Sequence, residues 1–382
     1  MQPLRKFVAP ELVMGQGAID LAGRYAVNFG ARRVLVVTDP GVAACGWTDR
    51  ATHSLKKYGV QSVVFSGVSP NPRSEEVMAG AQLYQEQNCD VLVAVGGGSP
   101  MDCAKGIGIA VAEGRPVLEF EGVDKISTPM PPLICIPTTS GSSADVSQFA
   151  IIMDKNRHMK VAIISKMLVP DVSLLDPEPL TTMPSNLAAC TGLDALTHAI
   201  EAYVSNVHFA LSDMMALEAI ERVGRYLLPS IDDPLNLELQ NGMMLASLTA
   251  GMAFSNAILG AVHAMAHSLG GLADAPHGEC NALLLGPVTA ANFSGAPERY
   301  REVARRLGID LPSDDETAAN TLADGIGELR RKTGLVRRLR DLGVSKDQLP
   351  KLAANALADP CMATNPKPLS VEEVTSLYEK VY

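Results

Sequence analysis

Short runs of β-branched and aliphatic residues, each stopped by glycine, proline or asparagine, recur between residue 31 and about residue 170. The clearest are RRVLVVTDPG (32–41), QSVVFSG (61–67), DVLVAVGGGS (90–99) and PLICIPTTSG (132–141). The stretches between them read as helices. Near-continuous apolar strands alternating with helices predict a parallel sheet covered on both faces, the α/β nucleotide-binding class. The segment VPDVSLLDPEPLTTMP (169–184) carries four prolines, and beyond it strand signals fade. A 3.6-residue periodicity takes over in LSDMMALEAIERVGRYL and in QNGMMLASLTAGMAFSNAILGAVHAMAHSLG, the second long enough to be buried or divided. The pattern therefore predicts a boundary near residue 180, with an α/β domain over 1–180 and a helical domain over 181–382.

Composition narrows the partners. At 382 residues the chain exceeds the size of one growing core, and 47% hydrophobic with 19% charged residues is a globular mix. Thirty-two basic against 42 acidic residues leave a net charge of -10, which repels phosphate backbones and anionic lipid. Nucleic acid and membrane are excluded as partners on that ground. No apolar run reaches the ~18 residues of a membrane span, and the start lacks a signal-peptide core. Seven scattered cysteines without a C-x-x-C pair suit free thiols in a reducing compartment, so a cytoplasmic location is expected.

In DVLVAVGGGSPMDCAKGIGIAVAEG (90–114) a strand, a glycine turn and a helix follow one another, with Ser99 expected to cap the helix and Asp102 in its first turn. Adjacent glycines admit a ligand close to the backbone, and a helix start offers N–H groups to a pyrophosphate. A plain αβ turn is the competing reading, because G-x-G-x-x-G is absent. A second strand-terminal run, IPTTSGSSAD (136–145), adds hydroxyls at what should be the same sheet edge. Asp39, ending its strand, is placed to hold ribose hydroxyls and repel a 2'-phosphate, which would select NAD over NADP. It reads equally well as a turn aspartate.

Histidine is sparse, at 53, 158, 198, 208, 263, 267 and 277. His53, His158 and His208 read as ordinary core or surface residues. Asp194 and His198 stand four apart on a predicted helix, so their side chains share one face. His263 and His267 repeat that spacing on another, and His277, after a glycine-rich turn, can fold back toward them. One carboxylate with imidazoles makes an N/O site for a divalent metal, with iron and zinc both open.

With those residues in view, the chain resembles the iron-containing (group III) alcohol dehydrogenases, the family of lactaldehyde reductase, 1,3-propanediol dehydrogenase and the iron-dependent ethanol dehydrogenases. The likeness runs nearly end to end. It includes VGGGSPMDCAK, IPTTSGS, LLDPEPLTTMPSNLAACTGLDALTHAIEAYVS (174–205), the histidine block and DPCMATNPKP (359–368). The resemblance implies a dehydroquinate-synthase-like fold with a metal in the cleft between domains. It implies Asp194, His198, His263 and His277 as metal ligands, iron before zinc, and His267 as a non-ligand histidine relaying a proton. It implies NAD contacts or support from Asp39, Gly97, Gly98, Ser99, Asp102, Thr138, Thr139 and Lys160. Asn71, Phe254 and Cys361 are implied near the nicotinamide or substrate.

The activity implied is interconversion of a small primary alcohol or diol with its aldehyde. In it the metal acts as a Lewis acid on the substrate oxygen and hydride moves to or from nicotinamide C4. A homo-oligomer, most simply a dimer, is implied as well. The rivals are a dehydroquinate-synthase-type lyase or glycerol-dehydrogenase-like enzyme on the same fold, a metallohydrolase of phosphorylated substrates, and a weakly catalytic sensor.

Overall fold

The computed structural model of the chain describes residues 5–157 and 159–382, so His158 lies outside the described residues. The strands are β1 (Glu11–Met14), β2 (Arg33–Val37), β3 (Gln61–Phe65), β4 (Val91–Gly96), β5 (Gly122–Val123), β6 (Leu133–Pro137), β7 (Phe149–Asp154), β8 (Met159–Ile164) and β9 (Val172–Leu175). Interleaved with them run helices α1 (Ala22–Asn28), α2 (Pro40–Ala44), α3 (Trp47–Lys57), α4 (Ser74–Glu86) and α5 (Gly98–Glu113). After residue 183 only helices follow: α6 (Ser185–Val204), α7 (Ala210–Asp232), α8 (Leu237–Ala257), α9 (Ala261–Ala273), α10 (His277–Asn292), α11 (Pro297–Leu307), α12 (Asp315–Lys332), α13 (Leu349–Leu357) and α14 (Val371–Lys380), with short 3-10 turns between.

Six strands form one parallel sheet in the order β1-β9-β6-β4-β2-β3. The central strands β4 and β6 are apolar and buried at every position because both faces are covered. Leu35, Val37, Leu92, Ala94, Leu133 and Cys135 pack with Val77, Ala81, Cys103 and Ile107 of α4 and α5. The alternate residues Val34, Val36, Val91, Val93, Ile134 and Ile136 pack with Ala22, Ala26, Ala51 and Leu55 of α1 and α3. This is the period of two that sends successive side chains to opposite faces. From β2 the chain first adds β3 on one side, then crosses to β4 on the other and continues through β6. The strand order therefore reverses between β2 and β4. A smaller sheet has the order β5-β8-β7, with β7 and β8 antiparallel.

Contacts group the chain into two compact units. One holds Val8–Met183 with Leu235–Met244, the other the described residues before Val8 with Pro184–Pro234 and Leu245–Tyr382. The long apolar stretch beginning near residue 240 is divided: α8 ends at Ala257, Ile258 turns left-handed at φ 61°, and α9 starts after Gly260. No single described helix is long and apolar enough to cross a membrane. One local expectation is corrected. The helix after the glycine turn starts at Gly98 with Gly97 as its N-cap, so Ser99 lies inside the first turn rather than capping it. Asp102 falls beyond that turn. With glycine as the N-cap there is no side-chain cap bond at this helix start.

Candidate functional site

Helix α6 is apolar on most of its surface but carries three ionisable side chains on one face: Asp194, His198 and Glu201, spaced i, i+4 and i+7. All three are buried. His263 enters from the first turn of α9, and His277 opens α10. Asp274, left-handed at φ 47°, ends α9 and reverses the chain, leaving Ala275 and Pro276 to reach His277. Gly278 is what lets α10 come so close to α6. A Cβ there would stand 2.4 Å from the carbonyl oxygen of Cys190, a backbone atom with no room to retreat.

Asp194, His198, His263 and His277 each offer one ligand atom, all within 4.8 Å of one another. His263 Nε2 and His277 Nε2 each stand 3.8 Å from Asp194 Oδ1. The rings of His198 and His263 stack at 4.5 Å, and Phe254 of α8 stacks on the other side of His198 at 4.2 Å. The fully buried Asn281 directs its amide nitrogen at Asp194 Oδ1 (2.6 Å), His263 Nε2 (3.1 Å) and His277 Nε2 (3.2 Å). Two amide hydrogens cannot serve three acceptors at once. One carboxylate and three imidazoles converging on a spot that protein donors do not fully satisfy fit a divalent cation with N/O preference, and no thiolate joins them.

Glu201 sets the His263 imidazole. It accepts from His263 Nδ1 at 2.5 Å and from the backbone N–H of Val262 at 2.6 Å and of His263 at 3.4 Å, so it caps α9 and orients the ring in one stroke. With Nδ1 engaged, Nε2 is left to the converging group, the arrangement a carboxylate behind a histidine has where that histidine ligates a metal. Burial pushes the Glu201 carboxyl up to about 7 and the His263 imidazole down to about 3. Neither bears charge cheaply here without the other or a cation.

His267, one turn beyond His263, is not among those four converging groups. Its Nδ1 meets Asp359 Oδ2 at 2.9 Å, and its ring stacks on His277 at 5.3 Å. Asp359 Oδ1 accepts from the backbone N–H of Cys361 at 2.8 Å. Burial alone would raise Asp359, but the charge and hydrogen bond of His267 hold it down to about 2. Cys361 is buried beside this pair, its thiol pushed well above the usual range by burial. Of the residues read as ordinary, His208 pairs with Asp213 at 3.1 Å. Glu201, Asn281 and Asp359 escaped the reading of the sequence. An acid seven residues after Asp194 on an apolar helix was the available signal for the first.

In the other unit, Asp39, Gly97 and Thr138 follow the carboxyl ends of β2, β4 and β6, adjacent strands of the parallel sheet, and the first two flank the point where strand order reverses. Open α/β sheets bind ligands there. A Cβ on Gly97 would lie 3.0 Å from Thr139, and one on Gly98 2.9 Å from Ser142, so the two loops touch. Thr138 N–H donates to Gly96 O at 2.9 Å. Asp39 caps α2, accepting from Val42 N–H at 3.0 Å, which is the turn role, and one oxygen suffices for it. Asp102 accepts from Ile151 N–H at 3.2 Å. Asn71 is left-handed at φ 57°, and Lys160 lies on β8 opposite Met153.

Residues 9–177 match the family described as iron-containing alcohol dehydrogenase, and residues 188–382 its C-terminal part. The chain belongs to that family. It is 39% identical to alcohol dehydrogenase 4 of Schizosaccharomyces pombe over 99% of this chain and 89% of that protein. A solved 1,3-propanediol oxidoreductase superposes with a TM-score of 0.96 at 36% identity, covering both chains fully. Sulfoacetaldehyde reductase from Bifidobacterium kashiwanohense, solved with NAD+, superposes at 0.88 with 27% identity over 100% and 99% of the two chains. The lyase reading is not favoured by these likenesses.

Proposed function

We infer that this chain is an NAD(H)-dependent alcohol dehydrogenase that converts a small primary alcohol or diol and NAD+ into the aldehyde, NADH and a proton, and the reverse. The observation that carries this is the convergence of Asp194, His198, His263 and His277 within one unit of a chain from the iron-containing family. These four residues hold the divalent metal, iron before zinc. When bound, the metal supplies Lewis acidity to the substrate oxygen and the nicotinamide supplies or accepts hydride. Glu201 keeps His263 in the tautomer that presents Nε2. His267, its Nδ1 fixed by Asp359, exchanges the hydroxyl proton at Nε2. Phe254 and Cys361 line the substrate pocket.

The dinucleotide lies along the carboxyl edge of the six-stranded sheet. Its pyrophosphate sits against Gly97, Gly98 and Ser99 at the start of α5, with Thr138 and Thr139 beside it and Asp39 toward the ribose. Asn71, Asp102 and Lys160 complete or support this site. The domains are taken as 1–180 for NAD and 181–382 for metal and catalysis. The protein acts as a cytoplasmic homodimer. The reading is supported by seven cysteines that are all free thiols, and by β1, which closes one end of the sheet with an edge able to pair with a second copy.

The test is anaerobic purification, metal analysis and an NADH-linked assay over small alcohols, diols and aldehydes, with iron or zinc restored. Metal-dependent NADH formation from such an alcohol is expected. Turnover of a phosphoester without nicotinamide, and none of any alcohol, would overturn the reading. His267→Ala should keep its metal and lose on the order of 10²–10⁴ in turnover; metal loss in that variant would remove its relay role.

A further inference from the structure

The segment from Thr138 to Gln148, between β6 and β7, has no regular structure, yet almost all of it is buried; only Thr139 and Ser142 are partly open. Those two are the residues that touch the glycine turn at Gly97 and Gly98. Ser143 within it is left-handed at φ 51°. A buried, irregular backbone must find partners for its polar groups; Thr138 N–H donates to Gly96 O, Val146 N–H to Ser143 O and Ser165 N–H to Gln148 O, and the end nearest β7 is met by side chains of α5. Lys105 of α5, fully buried, donates from Nζ to the carbonyl oxygens of Ser147 (2.8 Å) and Phe149 (2.8 Å) and to Ser147 Oγ (3.2 Å). Three residues earlier, Asp102 accepts from Ile151 N–H at 3.2 Å.

Residues 147, 149 and 151 alternate along one edge of the chain entering β7, and β7 is the edge strand of its sheet. The next outward group on that edge, Met153 N–H, donates to Pro72 O at 2.8 Å. Lysine and aspartate at i and i–3 thus read the edge as a partner strand would, carbonyls by the cation and N–H by the anion. Burial pushes the Lys105 ammonium below its ordinary range while the Asp102 charge pushes back. A buried ammonium is expensive to keep, and an apolar side chain would fill the same space. What the apolar chain would lack is three directed bonds to the loop that faces the glycine turn.

We propose that Lys105, with Asp102, is a positioning residue for the dinucleotide: it clips residues 138–151 to α5 so that Thr139 and Ser142 are held against Gly97 and Gly98 as one pyrophosphate cradle. This rests on the NAD reading given above. Lys105 touches no cofactor itself.

The test uses the metal-loaded enzyme and NADH as probe. Lys105→Met should bind NADH at least tenfold more weakly by fluorescence titration, and raise the KM for NAD by a similar factor. Metal content should be unchanged, and kcat at saturating NAD should stay within threefold. Ser147→Ala, which removes one of the three bonds and perturbs folding least, should weaken NADH about threefold and serves if the lysine variant does not fold. Either folded variant binding NADH as the parent does would overturn the proposal, as would a fall in kcat with KM unmoved, the mark of a merely structural role. A parent enzyme that binds no NADH would remove the dinucleotide reading and this inference with it.

Discussion

Replacing Glu201 by glutamine tests whether the carboxylate behind His263 contributes to holding the metal. The side chain keeps its shape, so packing is preserved, but its charge is lost and an NH2 group is set among donors. At stake are the 2.5 Å contact to His263 Nδ1 and the 2.6 Å contact to Val262 N–H. A hydrogen bond to a charged group contributes about 1.5–3 kcal/mol against about 0.5–1.5 for a neutral one. The His263 contact alone should therefore weaken by about 1–2 kcal/mol. Loss of such a partner to a ligating histidine costs about 10- to 100-fold in metal affinity, which is about 1.4–2.7 kcal/mol. The two figures overlap, so Glu201→Gln should bind Fe2+ roughly 10- to 100-fold more weakly. The assay is anaerobic chelator competition on the purified protein, with the melting temperature of the metal-free form measured in parallel. Metal affinity within threefold of the parent, together with a lower melting temperature, would refute the argument and leave Glu201 as a cap of α9 only.

Gly278→Ala sets a methyl group 2.4 Å from Cys190 O, forcing α10 off α6 and displacing His277; the variant should lose about 1–3 kcal/mol of stability and retain little metal by elemental analysis. Asp39→Asn keeps an N-cap of equal quality for α2 while removing the charge. Its melting temperature should not move, and the ratio of kcat/KM for NAD to that for NADP should fall on the order of tenfold, from the few-kcal/mol scale of charge repulsion near a protein surface. Glu113 is held down to about 2 by the backbone N–H groups of Thr128 and Ser127. Its folded-state pKa is depressed, so its contribution is present above about 4.5 and lost as pH falls toward 2. The protection factors of the Ser127 and Thr128 amides, observed exchange set against the intrinsic rate at each pH, should fall over that window in the wild type and be low throughout in Glu113→Gln.

The sheet was legible because its central strands are buried on both faces: RVLVV and VLVAVG can be little else than central parallel strands, and each pairs with its neighbour in register. The convergence of Asp194, His198, His263 and His277 was legible because histidine is scarce and falls at helical spacing. Glu201, Asn281 and Asp359 were not, because an acid or amide in a helix or turn is usually solvated, and only burial by other segments reveals it. Ser99 misled because hydroxyl residues are good caps, whereas here glycine takes that place so that the backbone can come near Thr139 and Ser142. The clip made by Lys105 could not be read either, since it depends on which edge of β7 faces α5.

Asp194 and Glu201 set two buried carboxyl groups beside the candidate cation site, and as carboxylates they carry two negative charges. A dication there gives electroneutrality, whereas a trication leaves one uncompensated positive charge and a monocation one negative. The arrangement therefore selects oxidation state more sharply than chemical element: ferrous iron and zinc are equivalent in charge. Ferric iron is disfavoured by the interior of α6 before any ligand preference enters.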